Sequence, residues 1–136
     1  MGGNSYSKLP GGDIEASSFV KLDSSNTGRV LQCAAGETVY GISQPATRRI
    51  ALDSYDSSLC GALGDPAINI YGPTSDTGVL LRLGGTVANG DYIKAGTSGF
   101  GVKATTDKDA YGARALAAGV AGDLIPVEVV IGFLAA

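Results

Sequence analysis

Residues 119–131 read Gly-Val-Ala-Gly-Asp-Leu-Ile-Pro-Val-Glu-Val-Val-Ile, and the fold can be read outward from them. Gly122 followed by Asp123 is a turn signal. Glycine adopts positive φ without a steric clash, and an acidic side chain accepts bonds from backbone amides that the bend leaves free. The residues that follow, Leu124 to Ile131, alternate around Val127-Glu128-Val129 with the two-residue period of a half-buried strand. The unit is a turn that launches a strand.

That unit recurs. Ala34-Ala35-Gly36-Glu37-Thr38-Val39, Ala62-Leu63-Gly64-Asp65-Pro66-Ala67 and Ala88-Asn89-Gly90-Asp91-Tyr92-Ile93 repeat the order small or apolar, any, Gly, acidic, any, small or apolar. The four glycines are spaced 28, 26 and 32 residues apart, too irregular for a solenoid or propeller of fixed period. They read as equivalent turns of one β fold rather than as repeats. A metal site built from Glu37, Asp65, Asp91 and Asp123 is the weaker reading, because a calcium site needs six or more converging oxygens and turns of this kind are spread around a fold.

Between the turns lie short apolar runs, which predict strands over 18–22, 29–33, 38–42, 67–71, 79–83, 91–95, 101–105, 113–117 and 124–131. Turn signals about every ten residues predict an all-β chain, a small β-barrel, β-tulip or sandwich. Residues 107–118, DKDAYGARALAA, contain good helix formers, but Gly112 in their midst costs about 1 kcal/mol, so a turn followed by a strand is expected. Residues 96–101, GTSGFG, lie between two such strands and read as a hairpin turn. The stretch from Gln44 to Asp65 is the least patterned. The first seventeen residues carry five glycines or prolines and few apolar anchors, which predicts an extended arm, 1–17, ahead of a single β domain, 18–136. Tyr6, Leu9, Pro10 and Ile14 would anchor that arm to a neighbour, and its removal should leave the domain folded.

Composition narrows the function. Charged residues are 17% of the chain against an ordinary level of about 25%, glycine is 21 of 136, and 44% of residues are hydrophobic. A lone copy would expose apolar area, the mark of an assembly component. A net charge of −3, with Arg48-Arg49 the only basic pair, argues against nucleic acid, whose phosphates call for clustered Lys and Arg. Cys33 and Cys60 are expected reduced and buried, since no secretory signal precedes them. The longest apolar run, Leu124 to Ala136, is broken by Pro126, Glu128 and Gly132 and is too short for a membrane helix, so no membrane partner is expected. Met1-Gly2 opens like a myristoylation signal, but Tyr6 stands where Ser or Thr is required.

Residues able to do chemistry are few. With no histidine, the usual triads and the commonest metal ligand are missing, and neither a G-x-S-x-G elbow nor an S-x-x-K motif occurs. Most of the thirteen acidic residues sit in turn contexts such as Asp23-Ser24-Ser25-Asn26, which solvated turn chemistry explains. No catalysis and no cofactor are expected. With no Trp, a carbohydrate-binding or adhesin surface would rest on Tyr6, Tyr40, Tyr55, Tyr71, Tyr92 and Tyr111, residues more often used for packing.

Two phrases carry a family likeness. Gly85-Thr86-Val87-Ala88-Asn89-Gly90-Asp91-Tyr92-Ile93-Lys94-Ala95, then residues 112–127, GARALAAGVAGDLIPV, resemble the small head decoration (cement) proteins of bacteriophages. There a Gly-Asp turn precedes a hairpin, and a later Ala-rich phrase with a second Gly-Asp closes the domain. The likeness covers about the last fifty residues well. It implies a homotrimer on the outer capsid surface of the virion, bound to the major capsid protein and bracing the expanded lattice. Readings from other classes are the adhesin module and a subunit of a tail or fibre assembly.

Overall fold

The computed structural model describes residues 5–44, 59–61, 68–72 and 79–135. All its regular elements are strands apart from one short 3₁₀ turn: β1 Ser5–Pro10, β2 Ile14–Glu15, β3 Phe19–Leu22, β4 Arg29–Gln32, β5 Gly41–Ser43, β6 Leu59–Gly61, β7 Ile68–Tyr71, β8 Val79–Arg82, β9 Tyr92–Ala95, β10 Gly101–Lys103, β11 Ala110–Ala115 and β12 Leu124–Phe133. The all-β expectation holds, and the strands expected near 18–22, 29–33, 79–83, 91–95 and 124–131 stand within one or two residues of those positions. Residues 107–118 form a turn and then β11, and 96–101 form the turn between β9 and β10, which pair antiparallel.

The strands make two bodies. A closed barrel has the order β1-β4-β3-β5-β7, and a five-stranded sheet has the order β10-β9-β11-β12-β8, while β2 and β6 pair antiparallel as a separate two-stranded ribbon. A single parallel bridge, Leu83 to Gly101, ties the two edges of that sheet to each other. β3 joins the bodies because both of its faces are covered. Val20 points into the first barrel with Ile14, Val30, Ile68 and Ile70. Phe19, on the opposite face, packs with Cys33, Val39 and Ile42 against Leu81, Ile93, Ala113, Val127 and Val129 of the second sheet. Side chains alternate across a strand, so one four-residue element serves two cores.

The expected arm is corrected by this topology. Residues 5–10 are extended, but β1 closes the barrel, antiparallel to β7 (Lys8 opposite Ile68) and parallel to β4 (Pro10 opposite Val30). Pro10 is buried and Ile14 is 0% exposed in the barrel core. The next residues are held by a buried polar knot. Ser18 Oγ and Ser43 Oγ donate to the Glu15 carbonyl at 2.8 and 2.7 Å, and Gln32 Nε2 donates to Ser18 Oγ at 2.6 Å. A segment poor in apolar residues still belongs to a barrel when its backbone bonds are the ones that close it. The domain therefore begins within 1–17 rather than at 18.

The second sheet contains a backbone repeat that the irregular glycine spacing concealed. Gly90 N–H donates to the Ala115 carbonyl and Ala115 N–H to the Asp91 carbonyl, both at 2.8 Å. Gly122 N–H donates to the Leu83 carbonyl and Leu83 N–H to the Asp123 carbonyl, again at 2.8 Å. Gly90 and Asp91 lie 32 before Gly122 and Asp123, while Ala115 lies 32 after Leu83, so the two sets exchange places as a two-fold requires. The strand registers obey the same shift: Tyr92 opposes Arg114 and Ile93 opposes Ala113, while Leu124 opposes Arg82 and Ile125 opposes Leu81. Val87 and Gly119, also 32 apart, bond each other reciprocally at 3.0 and 3.1 Å. Two intertwined strand-turn-strand units, 79–95 and 111–127, thus build most of this sheet about a pseudo-two-fold axis.

Candidate assembly surface

The described Gly-acidic turns, the strongest signal in the sequence, share one geometry in the structure. Gly36, Gly90 and Gly122 have φ of +78°, +91° and +92°. In each, the acidic residue's N–H donates back to the carbonyl three residues earlier: Glu37 to Ala34 at 3.3 Å, Asp91 to Ala88 at 3.1 Å and Asp123 to Val120 at 3.0 Å. The carboxylate completes the ring by accepting the N–H of that same earlier residue, at 2.7, 2.9 and 3.0 Å. Each acid closes its own turn, which is a structural duty. Gly64 and Asp65 lie outside the described residues. Among the described residues no group of three or more His, Cys, Asp or Glu gathers to hold a metal ion.

Glu37 has a second partner, and two further carboxylates, Asp109 and Asp23, are tied locally. Lys21 donates to Glu37 at 2.6 Å, and this ammonium, then the Ala34 N–H, holds the Glu37 carboxyl below the usual carboxylate range. The Thr106 N–H, then Lys94 at 3.1 Å, does the same for Asp109. Asp23 is lowered by the Ser25 N–H and the Asn26 side chain. Cys33 is buried, with Sγ 3.8 Å from the Thr38 carbonyl, and burial pushes its thiol up to about 12, so it is a poor nucleophile. The side chain of Cys60 and the pair Arg48-Arg49 lie outside the described residues.

Of the four residues expected to reach a partner, Leu9 is 44% exposed, Pro10 and Ile14 are inside, and the side chain of Tyr6 lies outside the described residues. Ile14 and Pro10 cannot touch a neighbour because the barrel core already covers them. Besides Leu9, exposed apolar side chains lie at Leu22, at Ile131 and Phe133 near the end of β12, and in one cluster on the second sheet. On the outer face of the second sheet, Leu80, Pro126 and Leu116 stand in a row across β8, β12 and the end of β11, with Leu124 one step along β12. Leu116 is 37%, Leu124 47% and Val120 54% exposed. Arg82 and Arg114 flank the row, their guanidinium groups 5.8 Å from the ring centroids of Phe100 and Tyr92.

Residues 116–124, Leu-Ala-Ala-Gly-Val-Ala-Gly-Asp-Leu, therefore form a projecting apolar rim whose one charge, Asp123, bonds its own turn. This rim was missed in sequence because an alanine-rich phrase reads equally well as packing. The signal available was its contrast with 84–92, Gly-Gly-Thr-Val-Ala-Asn-Gly-Asp-Tyr. On the first barrel, Lys21, Leu22, Ser24, Leu31, Glu37, Thr38, Val39 and Tyr40 line an open groove of about 500 Å³, mostly apolar, with Leu22 51% exposed. That groove holds a single aromatic, Tyr40. Tyr92 and Tyr111 pack on each other at 4.4 Å between centroids on the sheet face instead of lining a groove.

No family model matches the chain, and no curated protein matches it in sequence. Among solved structures it is similar to the head fiber gp8.5 N base of bacteriophage phi29, with a TM-score of 0.64 over 96% of this chain and 97% of that one. Sequence identity is 14%, so the likeness is one of fold. It spans both β bodies.

Proposed function

We propose that this chain is a structural protein of a bacteriophage head, a homotrimer held on the outer capsid surface by the major capsid protein. The observation that carries this reading is the fold shared, end to end, with the base of a phage head fibre. Three features support it: carboxylates closed on their own turns, a thiol held protonated by burial, and an exposed, mostly apolar rim whose one carboxylate is bonded to its own turn. On this reading the chain does no catalysis and uses no cofactor. It binds the expanded lattice and not its ruptured forms, and so stabilises the lattice by mass action. Each copy contributes a few kcal/mol at most, and many copies add up.

A second reading is favoured by the same likeness, that the chain is the base on which a head fibre stands. The two share the attachment and differ in what rises from it. Electron cryomicroscopy of purified particles, with the purified chain added to expanded and unexpanded heads, tests the proposal. Density at three-fold positions on expanded heads alone is the expected result. A rod rising from that density assigns the fibre-base reading, and absence of the chain from virions overturns both.

A further inference from the structure

The two halves of the pseudo-two-fold unit act as an internal control. Residues 87–91 and 119–123 make the same hydrogen bonds with the same turn geometry, so across the turn the backbone makes the same demands of both; ahead of it they differ, Gly84 donating to the Gly101 carbonyl and Leu116 to that of Pro126. At their exposed positions they differ in one direction. Leu116 stands where the first copy has Gly84, Ala118 for Thr86, Val120 for Ala88, Ala121 for Asn89 and Leu124 for Tyr92. The first copy shows that folding tolerates polar residues at 86 and 89, so the apolar residues of the second copy serve something other than the turn. Exposed apolar side chains in a contiguous run mark a covered surface.

The occupant has to offer an open apolar hollow, and the chain itself carries one. The groove over Leu22, Leu31, Thr38 and Val39 is mostly apolar, and its own charged pair, Lys21 with Glu37, is already closed at 2.6 Å. A volume of about 500 Å³ is of the size that takes a few aliphatic side chains. Rim and groove lie on different bodies of the molecule, the rim on the second sheet and the groove on the first barrel. We infer that the 116–124 rim of one copy seats in the β3–β4 groove of the next copy, a head-to-tail contact. Such an interface uses two different patches and closes into a ring when its rotation permits. It buries the chain's apolar excess at the centre of the contact, as interface cores do. The inference rests on the self-association in the function proposed above and names the surfaces that make it.

Sedimentation velocity on the full chain tests it. The wild-type protein at about 50 µM should run as one discrete oligomer. Leu124→Glu on the rim, and separately Thr38→Trp filling the groove, should each weaken assembly at least about 100-fold and leave monomers with unchanged circular dichroism. If Leu124→Glu fails to fold, Val120→Glu replaces it, since that side chain is 54% exposed. Mixing the rim variant with the groove variant should restore a one-to-one dimer and nothing larger, because one working rim then meets one working groove. A wild-type monomer, oligomers that survive either substitution, or a mixture that stays monomeric overturns the inference. Binding of each variant to expanded heads is read separately. A wild-type chain that is monomeric and still decorates heads sinks this interface and leaves attachment to the head standing, while a wild-type oligomer absent from heads does the reverse.

Discussion

At the scale of single residues, the Gly-acidic turn works as a closed ring in which glycine supplies the φ and the carboxylate supplies the missing acceptor. Gly122 has φ +92° and open space around its absent Cβ, so a side chain there suffers only conformational strain. Gly122→Ala should cost about 1–2 kcal/mol, the penalty of left-handed backbone for an L-residue. Gly12, with equal space and no positive φ, provides the control: Gly12→Ala should be neutral or slightly stabilising. Urea unfolding of both variants checks the contrast. Asp109 adds a pH signature. Its folded carboxyl lies below the ordinary 3.8 because the Thr106 N–H and then Lys94 favour the charged form. A depressed carboxyl contributes stability fully above its unfolded value and loses it as pH falls through the folded value. The melting temperature should hold from pH 7 to about 5 and drop below about 4, and Asp109→Asn should flatten part of that acid limb. A limb unchanged in the variant would rule Asp109 out as its source.

Elements behave differently from what composition suggests. Residues 1–17 look spare in sequence, with five glycines or prolines, yet β1 supplies the two edges that close the first barrel and Ile14 fills its core. Deleting 1–17 therefore opens β4 and β7 together and strips the Glu15 carbonyl from Ser18 and Ser43. The truncated chain should lose its cooperative unfolding transition, the opposite of what an arm would allow. Ile14→Ala should cost about 2–5 kcal/mol, the range for emptying a buried aliphatic site. A truncated protein that melts like the full chain would restore the arm.

Over the whole molecule, two bodies are fastened by one strand. Phe19 is fully buried between the first barrel and the second sheet, while its neighbour Val20 belongs to the barrel interior. Phe19→Ala should destabilise by about 3–5 kcal/mol and lower the melting of both bodies in step, read from near-ultraviolet and far-ultraviolet circular dichroism together. Two separated transitions would show that the bodies fold independently. By itself the sequence determined the local grammar: where the chain turns, which short runs are strands, and that histidine chemistry is absent. Those follow from φ preference, two-residue periodicity and side-chain inventory, all local properties. It also hinted at interfaces through its thin charge, but two of the residues it pointed to, Pro10 and Ile14, are inside the barrel. Only the tertiary structure decided that β1 closes a barrel, that Phe19 and Val20 serve different cores, and that units 32 residues apart pair about an axis. These are pairings between distant segments, set by backbone hydrogen bonds that carry no side-chain signature, so residue order alone does not display them.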